Sequence, residues 1–218
     1  EVNAERNGYL SISSRVFWKL PELEAGPDLP RSYPYGATRV EEGFRLHLLA
    51  PNAKFVEVEW RDEDEIRRAL MRTLPGGRWT HLLPAEPESS VAYRFLINGE
   101  ERFADPWSKI VEWKNPDTGE ESHLPEHAWT VVGTLPKAIP TWTPPNPKTW
   151  VIYELSIPDV APPGSYRGLE AALPYIADLG VNAIEPLPVP AFPGAESWGY
   201  NPAFHMAPEG VYGTPEEL

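Results

Sequence analysis

Cysteine is absent from the chain, which excludes disulfide cross-links, thiolate catalysis and cysteine-ligated zinc. Cationic charge is scarce: 19 Lys+Arg face 32 Asp+Glu, for a net charge of -13. A surface so acidic repels phosphate backbones and anionic lipid, and no basic stripe interrupts it, so neither nucleic acid nor membrane is an expected partner. No apolar run approaches the ~18 residues of a spanning helix, and residues 1–10 lack the basic and apolar regions of a signal peptide. These absences fit a cytoplasmic location, and a mature secreted form would look the same. The acidic run from Glu59 to Glu65 lacks the glycine and alternating oxygens of a calcium loop; it reads as a solvated loop, and no metal or cofactor is expected.

Proline and tryptophan are abundant instead, at 27 and nine residues. Residues 1–35 hold one short strand-like stretch, Ser11 to Leu20, and then a series of prolines, which reads as a lead-in segment. From 36 to 106 short runs alternate with period two, as in Phe44/Leu46/Leu48, Trp79/His81/Leu83 and Val91/Tyr93/Phe95/Ile97. Turn signals separate them, and Asn98-Gly99 suits a tight type I′ hairpin because both residues tolerate positive φ. Six or seven such strands spell an all-β, immunoglobulin-like sandwich. Residues 107–149 are polar and proline-punctuated, the texture of a semi-rigid connector.

After Trp150 the texture changes again. Residues 151–157 are strand-like, Leu169, Leu173, Ile176 and Leu179 recur at helical spacing up to Gly180, and a second strand begins at Val181. Pro174 within the helix predicts a kink or a late first turn. Strand, helix and strand make a βαβ unit, which requires parallel strands. Thr214-Pro215-Glu216-Glu217 has the spacing of a capping box, so a helix is expected to start where the sequence stops, and the chain reads as truncated.

Several of these stretches resemble a known family. Val151-Ile-Tyr-Glu-Leu-Ser-Ile157, Gly168 to Val189, Phe192-Pro-Gly194, Ser197-Trp-Gly-Tyr-Asn201, Ala207-Pro208 and Tyr212-Gly-Thr-Pro-Glu-Glu-Leu218 resemble, in order, the opening of a glycoside hydrolase family 13 barrel. Their wording is nearest to glycogen branching enzymes and maltooligosyltrehalose trehalohydrolases. The preceding block, Phe44 to Val58, Gly76-Gly-Arg-Trp79, Tyr93 to Gly99 and Ala104-Asp-Pro106, is similar to a carbohydrate-binding module of family 48. The resemblance implies a β-sandwich followed by the first βαβ unit of a (β/α)8 TIM barrel over 150–218, and an α-glucan or maltooligosaccharide as partner. It also implies that the catalytic aspartate, glutamate and second aspartate belong to later strands, so no catalytic residue is expected here and the rest of a barrel is the expected partner.

By the resemblance, Tyr200 lines the subsite that holds the reacting glucose, with Trp198 and Asn201 beside it in the loop after the second strand. Such loops at C-terminal strand ends are where barrel enzymes build their sites. Trp198 also has a packing reading, because Gly199 signals close backbone approach. Glu154 and Glu185 read as structural. On the sandwich, Trp60 and Trp79 are the sugar-stacking candidates and Asn98 a hydroxyl partner, although Trp79 shares its alternation with core residues. Two functions compete: part of a retaining α-glucan hydrolase or transglycosylase, inert alone, or a non-catalytic glucan-binding scaffold with a vestigial barrel segment.

Overall fold

The computed structural model describes residues 35–63, 65–86, 88–114, 120, 122–133, 143, 146–160, 164–194 and 196–218. The strand expected at Ser11 to Leu20 and most of the prolines of the expected connector lie outside these. One antiparallel sheet holds β1 (Gly36–Val40), β2 (Gly43–Leu49), β5 (Arg72–Leu74) and β6 (Arg78–Pro84), in the order β1-β2-β6-β5. The second runs β4-β3-β7-β10-β9, from β3 (Val56–Asp62), β4 (Glu65–Leu70), β7 (Val91–Ile97), β9 (Val111–Trp113) and β10 (Ala128–Val132), with β8 (Glu101–Phe103) also paired to β7.

Alternation explains how the sheets meet. Phe44, Leu46 and Leu48 of β2 point the same way, as do Val56 and Val58 of β3 and Tyr93, Phe95 and Ile97 of β7, and together they fill one core between the sheets. Each fully buried large side chain there contributes about 1.5–3 kcal/mol. The expected hairpin turn is present: Asn98 and Gly99 both have positive φ, 53° and 76°, and the Asn98 Oδ1 accepts the Lys54 amide at 2.8 Å.

Two expectations need correction. The sandwich extends past 106: β9 and β10 fall in the stretch expected to be connector, and β10 joins β7 in the register Thr130↔Tyr93. Both strands are short, so their alternation is too brief to stand out against the surrounding polar residues. The acidic run is not simply solvated either, since Glu59 is 1% exposed. Glu59 lies on the face of β3 opposite to the core, and register places a partner on each side of it, Arg68 of β4 and Arg94 of β7. Arg68 reaches its carboxylate at 2.5 Å, Arg94 at 2.7 Å and Arg102 at 3.2 Å. The row continues across the sheet to Trp129 and Glu112, themselves directly opposed. The guanidinium groups of Arg94 and Arg61 lie 4.2 Å and 4.4 Å from the centre of the buried Trp129 ring, and Arg61 pairs with Glu112 at 2.7 Å. One ladder of charges and an indole therefore crosses all five strands on the sheet's outer face.

At the inner end of the sandwich, Asp105 is wholly buried. The Tyr93 hydroxyl donates to its Oδ2 at 2.6 Å and the Trp107 amide to its Oδ1 at 2.8 Å. Burial pushes the Asp105 carboxyl up from 3.8 to about 6, against the pull of those two hydrogen bonds.

Beyond the sandwich, β11 (Ile152–Leu155) and β12 (Ala183–Pro186) pair in parallel, Ile152↔Ala183 to Leu155↔Pro186. Between them come the short α1 (Ile157–Val160) and α2 (Tyr166–Asp178). The βαβ unit is thus present. Ser165 caps α2 by accepting the Gly168 amide at 3.1 Å. Pro174 stands in the interior of α2, past its first turn, on an exposed part of the helix. A short antiparallel pair, β13 (Pro190–Ala191) and β14 (Phe204–Pro208), follows. Ala191, Ala203, Phe204 and Ala207, in and just before this pair, pack on Ala104, Val111, Trp113 and Ala128, so β9 and β10 join the sandwich to the β13–β14 pair through one apolar seam.

Candidate functional site

The site is the loop 192–203, between β13 and β14, set against the C-terminal ends of β11 and β12. Its base is fixed by Glu209, which is fully buried. One carboxylate oxygen accepts the Phe192 amide at 2.9 Å and the other the Val211 amide at 3.0 Å. Around it Tyr166, Tyr212 and Phe192 meet edge to face, with ring centres 5.9 Å and 6.1 Å apart. Burial, aided by the Glu209 charge, pushes the Tyr166 and Tyr212 hydroxyls up, so both remain donors.

Within the loop, Ser197 Oγ accepts the Gly199 amide at 2.9 Å and bonds the Asn201 side chain. Asn201 therefore braces the loop. Gly199 has φ +83° and lies so close to Pro188 that a Cβ there would sit 1.9 Å from the Pro188 carbonyl oxygen. On either side of it Trp198 and Tyr200 stand 75% and 67% exposed. The packing reading of Trp198 is thereby corrected: the close approach is made by the glycine alone.

The two aromatic side chains line a cavity of about 420 Å³ together with Glu154, Leu155, Ser156, Asp159 and Leu187. Glu154 and Leu155 close β11, Asp159 belongs to α1, and Leu187 follows β12, its amide bonded to the Leu155 carbonyl at 2.8 Å. The cavity offers two aromatic faces and two carboxylates as hydroxyl acceptors, the composition that suits a polyhydroxylated ring. Glu154, read from the sequence as structural, lines the cavity because it stands at the end of β11, whereas Asp159 left no signal, because a helix of four residues has no periodicity to read. Glu185 is exposed and does not line this cavity.

Gly199→Ala is expected to displace the loop, because the added carbon meets backbone in a conformation that disfavours it. Destabilisation of about 2–4 kcal/mol in chemical denaturation is the expected result; a loss below 0.5 kcal/mol would show that the loop yields freely.

The structure does not bring the three sandwich candidates together. Trp79 is 6% exposed and its indole N–H donates to the Ala50 carbonyl at 3.0 Å, so it belongs to the core. Trp60 is half-buried and packs beside His81, 6.0 Å between ring centres. Asn98 is tied to the loop before β3, at the other end of the β3–β7 pair from Trp60, five residues along β7 from its partner Tyr93 and so about 16 Å away at ~3.3 Å per residue. Among the described residues no group of three or more His, Cys, Asp or Glu side chains has the arrangement of a metal site, and no helix is long and apolar enough to cross a membrane.

Residues 34–108 match the family carbohydrate-binding module 48 (isoamylase N-terminal domain). A malto-oligosyltrehalose trehalohydrolase from Deinococcus radiodurans is 30% identical over 81% of this chain and 27% of its own length. A 1,4-α-glucan branching enzyme from Pseudomonas aeruginosa is 29% identical over 81% of this chain and 25% of its own. The chain thus spans about a quarter of the length of these relatives. Among solved structures, a pullulanase from Anoxybacillus sp. in complex with maltotetraose is similar at a TM-score of 0.63 and 25% identity, covering 82% of this chain and 29% of that one.

Proposed function

We propose, from the premise that residues 34–108 are a carbohydrate-binding module 48 domain and that the chain is a homologue of α-amylase-family glucan enzymes, that it is the N-terminal part of a retaining α-glucan hydrolase or transglycosylase. In this reading β11 and β12 are the first two strands of a (β/α)8 barrel, and the 420 Å³ cavity at their C-terminal ends holds one glucose of an α-glucan. The observation that carries it is the placement of Trp198 and Tyr200, two exposed rings on a braced loop beside parallel strand ends, where α/β folds place ligands. Tyr200 supplies a ring face and a hydroxyl, Trp198 a second face, and Glu154 and Asp159 accept sugar hydroxyls.

Retaining hydrolysis requires two carboxyl groups about 5–5.5 Å apart across the glycosidic bond, one ionised and one protonated. The resemblance to the hydrolase family assigns those roles to strands after β12. This chain is therefore read as binding glucan without cleaving it.

Titration with maltoheptaose, followed by calorimetry and by assay of new reducing ends, tests both halves. Measurable heat is expected, with Tyr200→Ala and Trp198→Ala each weakening affinity about tenfold. Unchanged affinity in both variants would remove the sugar from this cavity. New reducing ends lost in Glu154→Gln or Asp159→Asn would make the chain itself catalytic and overturn the second half.

A further inference from the structure

We propose a second α-glucan subsite, built on Trp107 where the sandwich meets β14 and separate from the Tyr200 cavity. The inference rests on the α-glucan reading above and adds to it the place on the sandwich where sugar is held. Of the five tryptophans in the sandwich, Trp79, Trp113 and Trp129 are at most 6% exposed and Trp60 is half-buried, whereas Trp107 is 50% exposed. An indole left in water forgoes the 1.5–3 kcal/mol that burying a large apolar side chain provides.

Trp107 is nonetheless fixed firmly. Its amide is held by the buried Asp105 carboxylate at 2.8 Å. Tyr35 lies against it, with ring centres 6.0 Å apart and planes 14° from parallel. Its Cβ rests on Gly36, where any larger residue would place a Cβ 2.9 Å away in a backbone conformation of φ +85°. A large aromatic surface that is rigid before any ligand arrives carries little ordering cost on binding.

The ring borders a cavity of about 410 Å³, a size that accommodates two glucose units. Arg39, Thr38 and Lys109 line it from the sandwich and Met206 from β14. Lys109 is exposed and has no ion-pair or hydrogen-bond partner among the described residues. Arg39 is held in place by the Glu86 carbonyl at 2.7 Å and by the Phe44 ring, 4.6 Å from its guanidinium carbon. An apolar plate flanked by cationic N–H donors and a hydroxyl fits the two surfaces of a pyranose, its apolar face and its rim of hydroxyls. A nucleotide or other anion is the weaker fit, because the chain carries a net charge of -13. Because Met206 belongs to β14, a glucan in this cavity touches both the sandwich and the segment that follows the βαβ unit.

The test is titration of the whole chain with maltoheptaose, followed by calorimetry and by the tryptophan indole region of a ¹H–¹⁵N NMR spectrum. Two binding events are expected in the wild type. In Tyr200→Ala/Trp198→Ala one event should remain, with the Trp107 indole resonance moving as sugar is added. Adding Lys109→Ala should weaken that event about threefold to tenfold, and adding Trp107→Ala should abolish it, while Trp107→Phe, which keeps a ring against Tyr35, retains part of it. An indole resonance of Trp107 that stays still at saturating maltoheptaose overturns this subsite and leaves the Tyr200 site standing. Absence of any heat in the wild type overturns both.

Discussion

Replacing Glu59 by alanine is expected to lower the folding stability by about 3–5 kcal/mol, because it strands a guanidinium inside the protein. Arg94 is 2% exposed and lies over the buried Trp129 ring, and without Glu59 it keeps only the Glu126 carbonyl, at 3.3 Å, as a hydrogen-bond acceptor. Arginine does not escape the cost by losing its proton. For a chain of this size the loss corresponds to a drop of about 10 °C in Tm. Arg68→Ala, by contrast, removes a side chain that is 44% exposed and should cost no more than about 1 kcal/mol. The double variant Glu59→Ala/Arg94→Ala should cost less than the sum of its parts, since the stranded charge leaves with its partner. Urea denaturation of five proteins, the wild type, Glu59→Ala, Arg94→Ala, Arg68→Ala and the double variant, decides the matter. A loss under 1 kcal/mol for Glu59→Ala would mean that water reaches Arg94 and that the ladder is ornamental.

The second large effect is on pH dependence, and its sign is opposite to the common one. Asp105 has a folded value of about 6 against an ordinary 3.8, so between those limits the folded chain binds more protons than the unfolded one. Its contribution therefore favours folding most below about pH 4 and erodes as the pH rises to 6. About two pKa units correspond to about 3 kcal/mol. Asp105→Asn keeps the shape and has no charge to bury. Relative to the wild type, the variant should gain about 3 kcal/mol between pH 4 and pH 7, measured by denaturation at each pH. A difference flat across that range would show the carboxylate to be comfortably ionised by its Tyr93 and Trp107 bonds.

Glu59 works the other way. Burial raises its carboxyl, but the Arg94 and Arg102 hydrogen bonds more than offset that and leave it below the ordinary value. Its stabilising contribution is present above the ordinary carboxylate range and is lost as the pH falls through its folded value. These two groups act in opposite senses on the wild-type curve in acid, which is why the Asp105→Asn difference curve is the informative one.

Much of the fold was legible because it is local. Phe44, Leu46 and Leu48 announce a half-buried strand within five residues, Asn98-Gly99 announces its turn within two, and Leu169 to Leu179 announce a helix. What was not legible depends on residues far apart in sequence. The burial of Glu59 requires arginines at 68, 94 and 102, brought opposite it only by strand register. β9 has three residues and acquires its identity from β10, fifteen or more positions later. The same applies to the site. Tyr200 stood out through a motif, whereas Asp159 reaches the cavity through a one-turn bend, and Trp107 was hidden by the assignment of its surroundings to a connector. Trp79 was the converse case, since its alternation with Leu83 already pointed to the core in which it is found.

The family match stops at residue 108, yet β7 has β10 as its neighbour and β10 has β9, both beyond that point. A recombination event that moved only residues 34–108 between proteins would leave Val91, Ala92 and Tyr93 at a raw edge, and would carry away Arg94 without the indole it lies on. The complete sheet runs through Val132 instead. Because β9 and β10 also face the seam with β13 and β14, that sheet travels with half of a matched joint, and a new host must supply small residues like Ala191, Ala203 and Ala207 to receive it.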